Sequence, residues 1–318
     1  MNIPFLLNWH LNPYHIPILV AKQLGMYKEI DINLILLEPL SPSEVTIAIG
    51  KNHIPMGLKA MVHCFAARSR NYPIQSIGTL LDEPPTGLIS LGENNIKTIS
   101  DIKNKRIGYI GEFGKIMIDN IAKNAKIDNN QYETVRVGME AAHALLSHQV
   151  DAAIGLSCFQ LLEVKEKCSK VDFLRIDLLA NLGCCCFCSI MFIAHETFIK
   201  KEPNLIKNFM QATYRGMLFT REQPELAFEI FLQQKPKLDS TLYKKIFFHT
   251  LPFFSRELKN IERDWEKVGK YSKKLEIIDK NYDHNMCFTS QFSPDLSLLN
   301  TTEPSSLKIN RGEKCLQI

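Results

Sequence analysis

The sequence contains no apolar run of the roughly 20 residues that a membrane helix needs. Its net charge is only +4, from 38 lysines and arginines against 34 aspartates and glutamates, and the basic residues are not concentrated in one segment. These absences argue against a membrane protein and against a nucleic-acid-binding protein. The start, MNIPFLLNWH, lacks the positive region, long apolar stretch and cleavage site of a secretory signal, so we expect a cytoplasmic protein.

What the chain does contain is typical of a soluble globular protein. It has 318 residues, of which 45% are apolar and 23% are charged. That length suggests one large domain or two lobes of ordinary size. The nine cysteines should be reduced in the cytosol, where a cysteine cluster indicates metal binding or catalysis before a disulfide.

Short apolar runs rich in β-branched residues alternate with amphipathic stretches of helix length. This alternation predicts an α/β protein with parallel sheets and right-handed crossovers. The segment DEPPTG, residues 82–87, breaks any regular element and predicts a crossing between lobes. We therefore expect a first lobe of residues 1–86 and 197–280, a second lobe of residues 87–196, and a poorly ordered tail over residues 281–318. Their central cleft should bind ligands at the carboxyl ends of the strands.

The first candidate site is the GEFG segment, which comprises Gly111, Glu112, Phe113 and Gly114. It follows a predicted strand over residues 106–110 and precedes a helix predicted to start near residue 115. Glycines let backbone amides approach an anion, and a helix N-terminus favours negative charge. The segment is thus a candidate phosphate site, although the full P-loop spacing is missing and a plain tight turn is the alternative.

The second candidate pairs Lys59 with His63 at the mouth of a helix predicted after the strand IPMGL, residues 54–58. Residues four apart on a helix share a face, with β-carbons about 6 Å apart. A lysine beside a cleft can form an imine with an aldehyde, and a histidine one turn away can reach the adduct. The alternative is a solvated lysine beside a hydrogen-bonded histidine.

The third candidate is a cluster of four cysteines, Cys184, Cys185, Cys186 and Cys188. On a strand running to about residue 195, Cys184, Cys186 and Cys188 would point to one face and Cys185 to the other. Their α-carbons would lie about 6.6 Å apart, so two thiolates could share a metal, whereas three would need a bend. The spacing does not match a zinc ribbon, and small apolar packing is the alternative.

Two weaker features stand at the ends of the chain. Asn8 and Trp9, followed by Tyr14 and His15, lie at the end of the first predicted strand, where an indole could stack on a planar ring. Core packing is the commoner outcome for such residues. The final CLQI, residues 315–318, fits a loose prenylation pattern without a neighbouring polybasic stretch.

Five motifs occur in the order and spacing of the Thi5/NMT1 family of pyrimidine-phosphate synthases: NWHLNPYHIP, MGLKAMVHC, LLDEPPTG, IGYIGEFGK and LGCCCFC. The chain resembles this family from about residue 3 to about residue 275. The CCCFC pentapeptide followed by a hydrophobic strand is highly specific, and LKAMVH is nearly so. Solute-binding relatives of the same fold lack both motifs.

The resemblance implies the fold of a type II periplasmic binding protein used as an enzyme, as a homodimer. It implies synthesis of 4-amino-5-hydroxymethyl-2-methylpyrimidine phosphate for thiamine, with pyridoxal 5'-phosphate as a substrate rather than a recycled cofactor. The lysine matching Lys59 holds that substrate, the histidine matching His63 supplies atoms in a single turnover, and the GEFG loop holds the phosphate. Asn8, Trp9 and His15 are further candidate substrate contacts. The four cysteines are implicated in iron binding, with iron and oxygen driving the oxidative rearrangement.

Two other functions remain open at the level of sequence. A binding protein could capture a phosphorylated pyridine or pyrimidine without converting it. The absence of a signal peptide, together with Lys59, His63 and the cysteine cluster, favours the synthase. A structural zinc protein would need four converging ligands and would leave Lys59 and His63 unexplained.

Overall fold

The computed structural model describes residues 1–297, so the CLQI end lies outside the described residues. This part of the chain contains ten strands and eleven α-helices joined by short 3₁₀ turns. The strands are β1 (Asn2–Leu6), β2 (Asn33–Leu37), β3 (Met56–Ala60), β4 (Ile74–Leu81), β5 (Thr86–Leu91), β6 (Arg106–Tyr109), β7 (Glu133–Arg136), β8 (Ala152–Leu156), β9 (Val171–Arg175) and β10 (Ile190–His195).

The helices begin where the sequence supplies start signals. Pro17, Pro42 and Pro203 occupy the first or second position of their helices, where the missing N–H is not needed. The helices are α1 (Ile16–Gln23), α2 (Pro42–Gly50), α3 (Met61–Ser69), α4 (Glu112–Asn124), α5 (Ala141–Leu146), α6 (Gln160–Lys167), α7 (Glu196–Lys201), α8 (Pro203–Glu222), α9 (Pro224–Gln234), α10 (Thr241–Thr250) and α11 (Glu262–Lys274). At the start of α2 the Ser41 side chain caps no backbone amide, and Glu44 accepts a hydrogen bond from the Leu40 N–H.

The strands form two five-stranded sheets, one in each lobe. Their orders are β2-β1-β3-β10-β4 and β7-β6-β8-β5-β9. The expected parallel pairing holds for β1 with β2 and β3, and for β6 with β7 and β8. It is wrong for β10 and β5, which run antiparallel to both of their neighbours. Each of these strands follows a crossing between lobes and enters its sheet from the opposite end.

The first crossing lies where it was predicted, between β4 and β5. The second comes earlier than expected, because β10 pairs with β3 and β4 in the first sheet. The chain therefore returns to the first lobe before residue 190 rather than at residue 197. The cysteine segment, expected to be part of the strand, is irregular backbone that forms this second crossing.

One apolar core lies within the first lobe, between its sheet and helices α1, α8, α9 and α10. A second cluster includes residues of both lobes, among them Met61 and Phe65 of α3, Phe113 and Met117 of α4, and Trp265 of α11. All five are buried. The two lobes thus pack against each other beside the cleft.

Residues 281–297, expected to lie in a poorly ordered tail, return to the first lobe. Cys287 and Phe292 are buried, and the Phe288 ring stacks on Trp265 at 5.2 Å between centroids. The Thr289 N–H donates to the Ser76 carbonyl of β4. These three apolar side chains, in an otherwise polar stretch, bury enough surface to fix it. No helix of the described residues is both long and apolar enough to cross a membrane.

Candidate functional site

Lys59 is the fourth residue of β3, and its side chain lies between neighbouring strands and α2. The residue is 4% exposed, and its ammonium donates to the backbone carbonyl of Pro42. Burial lowers the pKa of Lys59 to about 8, with the nearby Cys64 acting weakly in the other direction. About one lysine in ten is then uncharged at pH 7, far more than for a lysine in water.

His63 lies in the first turn of α3, close to Lys59. The prediction that both residues share a helix face is wrong, because Ala60 is extended and the helix begins at Met61. They nevertheless remain neighbours across the strand-to-helix junction. Burial, and then the positive charges of Lys59 and Arg70, lower the pKa of His63 to about 3. Its imidazole is therefore neutral at physiological pH and able to act as a nucleophile.

The GEFG segment forms the N-terminus of α4, which begins at Glu112, about one turn earlier than expected. Gly111 is its N-cap with extended backbone, and no side chain caps the helix. The first N–H groups of a helix have no partner within it and can bind an anion. The Gly114 N–H is the exception here, since it donates to the Gly111 carbonyl at 2.8 Å.

Phe113 brings the GEFG segment into contact with the first lobe. Its ring centroid lies 6.0 Å from that of His63 and 5.3 Å from that of Phe187, both edge to face. Beside it, Arg70 and Glu112 form an exposed ion pair with a 2.5 Å N–O distance. The predicted phosphate segment and His63 are thus brought together.

The N-terminal candidates lie at the carboxyl end of β1. Leu6, the last residue of β1, pairs with Gly57 of β3, and Asn8 follows two residues later, at the same end of the sheet as Lys59. Trp9 is partly buried and packs against the core of the first lobe. His15 is 0% exposed, and its Nε2 atom lies 3.1 Å from Asn8 Oδ1.

The cysteine segment does not have the geometry predicted for it. Because it is not a strand, the alternation that set Cys185 apart from the other cysteines does not apply. The Cys184 thiol lies 3.5 Å from the Tyr271 hydroxyl, whereas the Cys186 thiol lies 3.5 Å from Asp177 Oδ2. Desolvation raises the pKa of Cys188 to about 12, so this thiol is neutral in the structure. No three His, Cys, Asp or Glu side chains of residues 1–297 are grouped as metal ligands would be.

Two residues of this region escaped the sequence analysis. The side chain of Asp177 is 1% exposed and is held by Arg175 through two hydrogen bonds, the shorter of them 2.5 Å. Cys158, at the start of α6, is 1% exposed and close enough for its charge to raise the pKa of Cys188. Asp177 could have been found from the sequence, because it is an acidic residue that follows β9 and precedes Cys186 by nine positions. Nothing in the sequence distinguishes Cys158 from a packing cysteine.

The site lies inside the closed cleft rather than in an open surface groove. On one side, Tyr14 of the first lobe meets Phe159 of the second, with centroids 6.1 Å apart. The Arg70–Glu112 ion pair spans the other side. Two surface cavities of about 590 and 660 Å³ lie elsewhere, lined by residues of α4 and α11 and of α9 and α10. Lys59 is thus buried in the structure rather than exposed in a surface groove.

Comparison with known proteins supports a specific family. A family described as NMT1/THI5 like matches residues 12–227. A Legionella pneumophila protein named 4-amino-5-hydroxymethyl-2-methylpyrimidine phosphate synthase is 53% identical over 293 residues, which cover 92% of each chain. A Schizosaccharomyces pombe protein of the same name is 42% identical over 303 residues, covering 92% of this chain and 88% of its own.

Solved structures show the fold class. The alkanesulfonate-binding protein SsuA from Xanthomonas axonopodis superposes with a TM-score of 0.71 at 11% identity, over 91% of this chain and 98% of its own. The periplasmic nitrate-binding protein NrtA from Synechocystis gives 0.70 at 9% identity, over 92% and 86%. The periplasmic-binding-protein fold that the sequence motifs implied is thereby confirmed.

Proposed function

Because the chain belongs to the NMT1/THI5-like family, we propose that it is a 4-amino-5-hydroxymethyl-2-methylpyrimidine phosphate synthase that supplies the pyrimidine of thiamine. The observation that carries this proposal is the pair of buried Lys59 and partly buried His63 beside a helix N-terminus able to hold a phosphate.

Lys59 is the residue proposed to hold pyridoxal 5'-phosphate, through its aldehyde. Desolvation costs the ammonium form more than the neutral form, so burial produces the free amine that attacks a carbonyl. The contact with the Pro42 carbonyl orients the amine. The N-terminus of α4 lies across the cleft, where the free N–H groups of Glu112 and Phe113 are suited to the phosphate.

His63 is the proposed donor of atoms to the new ring. Its imidazole contains the N–C–N unit that a pyrimidine requires, and it is neutral where it lies. The edge of Phe113 packs against the ring and restricts it. A side chain held beside the bound substrate reacts at a far higher effective concentration than free histidine does. Consumption of His63 would limit each chain to one turnover.

Iron is the predicted partner of the cysteines. Iron and oxygen would supply the oxidising power of the rearrangement. Cys186 and Asp177 form a sulfur–oxygen pair, but the described residues provide no preformed set of three ligands. Cys184, Cys185, Cys186 and Cys188 therefore stay predicted ligands. A homodimer, which the family resemblance implies, and a cytoplasmic location, which the N-terminal sequence favours, are likewise proposed.

Trapping and mapping of the covalent adduct test the core of this proposal. The protein is incubated with pyridoxal 5'-phosphate, reduced with borohydride and digested, and the modified peptide is identified by mass. We expect the adduct on Lys59 and none in Lys59→Arg, whose guanidinium is not a usable nucleophile. The exposed Lys51 provides a control variant, Lys51→Arg. An adduct on another lysine, retained in Lys59→Arg, would contradict the assignment.

A binding protein for a phosphorylated pyridine or pyrimidine is the second candidate, because both structural neighbours described above are binding proteins. Aerobic incubation with pyridoxal 5'-phosphate and ferrous iron separates the two functions. The synthase yields a pyrimidine phosphate, whereas a binding protein returns its ligand unchanged.

A further inference from the structure

A chain of three hydrogen bonds inside the first lobe runs from Asn12 through His15 and Asn8 to Tyr14. The backbone N–H of Asn12 donates to His15 Nδ1 at 3.2 Å. His15 Nε2 lies 3.1 Å from Asn8 Oδ1, and Asn8 Nδ2 lies 3.2 Å from the Tyr14 hydroxyl. His15 is completely buried, so the protein itself occupies both of its ring nitrogens.

The first of these bonds fixes the direction of the others. A backbone N–H can only donate, so Nδ1 of His15 must be unprotonated. Burial lowers the pKa of His15 to about 3, so the ring is neutral and carries its single proton on Nε2. That proton must be donated to Asn8, which assigns the accepting atom as the amide oxygen and the other atom as the NH₂ group.

The orientation of the Asn8 amide determines whether a ligand in the cleft meets its N–H groups or its oxygen. One N–H of Asn8 donates to the Tyr14 hydroxyl, and within residues 1–297 the second has no acceptor. Asn8 and Lys59 follow the paired residues Leu6 and Gly57 by two positions each, so both lie at the same end of the parallel strands β1 and β3. Asn8 is also only half-buried. Its free N–H is therefore available to a ligand held on Lys59.

We propose that His15 is a positioning residue, which acts through Asn8 by locking its amide so that an N–H donor faces the ligand on Lys59. The matching group of the ligand is then a hydrogen-bond acceptor. The identity of that ligand, pyridoxal 5'-phosphate, rests on the proposed function. The direct substrate contact predicted for His15 is replaced here by an indirect role.

Two conservative variants separate this role from a merely structural one. The Nε2 atom of glutamine is as many bonds from the backbone as that of histidine, so His15→Gln keeps the donor to Asn8 and loses the acceptor for Asn12. His15→Asn does the reverse. One neutral hydrogen bond corresponds to about a threefold to tenfold change in affinity. We expect the Kd for pyridoxal 5'-phosphate to stay within about twofold in His15→Gln and to rise about threefold to tenfold in His15→Asn.

The exposed His10 provides a control, His10→Asn, which should bind as the wild type does. Equal affinity in His15→Gln and His15→Asn, or weaker binding in His15→Gln alone, would overturn the proposal. Imidazole ¹⁵N NMR of the ligand-free wild type gives a readout that does not depend on whether a variant folds. A neutral ring protonated at Nε2 between pH 5 and 8 supports the proposal, and protonation at Nδ1 or of both nitrogens overturns it. If the wild type forms no Lys59 adduct, the proposed function fails, whereas the NMR result still decides the orientation of Asn8.

Discussion

Replacing Lys59 with methionine should change how the stability of the protein depends on pH. The amine is 4% exposed, and burial lowers its pKa from 10.5 to about 8. Between these two values the unfolded chain binds more protons than the folded one. The free energy of unfolding of the wild type must therefore rise with pH across this window.

The magnitude follows from the two pKa values. Integrated from pH 7 to pH 9.5, the shift of Lys59 from 10.5 to about 8 adds about 2 kcal/mol to the free energy of unfolding. Methionine has no titratable group, so Lys59→Met should lack this gain. Loss of the contact with the Pro42 carbonyl lowers the stability of the variant by a similar amount at both pH values. The difference in slope thus isolates the titration of Lys59.

Urea unfolding at pH 7 and pH 9.5, under reducing conditions, measures the effect. The difference in free energy of unfolding between the wild type and Lys59→Met should change by about 2 kcal/mol between the two pH values. Titrations that are common to both proteins cancel in this difference. Lys51→Met, at an exposed position, is the matched control and should differ from the wild type equally at both pH values. Parallel pH dependence of the wild type and Lys59→Met would show that Lys59 is not desolvated, and its proposed reactivity would lose its physical basis.

Three further predictions concern the surroundings of the site. Cys186→Ser should lower the iron affinity measured by titration more than about tenfold. The circular dichroism spectrum should not change. An iron affinity equal to that of the wild type would exclude this thiol as a ligand. Phe288→Ala should lower the free energy of unfolding by about 2 kcal/mol, because the half-buried ring stacks on Trp265. This loss is smaller than that for the same substitution at a fully buried phenylalanine. An unchanged Tm would mean that the segment after residue 280 does not pack against the first lobe. Arg70→Gln breaks the exposed ion pair with Glu112 and should change the free energy of unfolding by less than about 1 kcal/mol. It should nevertheless speed the exchange of bound pyridoxal 5'-phosphate. An unchanged exchange rate would show that this pair does not hold the lobes together.

Local sequence signals located much of the fold. The first crossing lies at the proline pair that follows β4, within the segment predicted for it. Proline restricts its own backbone, so its effect can be predicted without knowledge of the tertiary structure. The position of β10 could not be predicted this way. Its apolar residues suit either sheet, and only pairing with β3 and β4 decides which lobe it joins.

The same limit explains the error at Lys59. The segment MGLKA has no strong preference, and its pairing with β10 extends the strand through Lys59 and delays the helix. At the cysteines, alternation assumed a strand, but a crossing segment has no neighbour with which to pair. Hydrogen-bond direction was also beyond the sequence, which placed Asn8 and His15 near the site without showing that they bond to each other. The residue types of the site were predictable, whereas their geometry was not.

The stoichiometry of the reaction tests the central claim most directly. The protein is incubated aerobically with pyridoxal 5'-phosphate and ferrous iron, and product and peptide masses are measured in the same sample. The account predicts no more than one pyrimidine phosphate per chain, loss of mass from the peptide carrying His63, and an unmodified Lys59 afterwards. His63→Asn should still form the Lys59 adduct but yield no product. Many equivalents of product per chain, with the His63 peptide unchanged, would make the protein an ordinary catalyst and contradict the account.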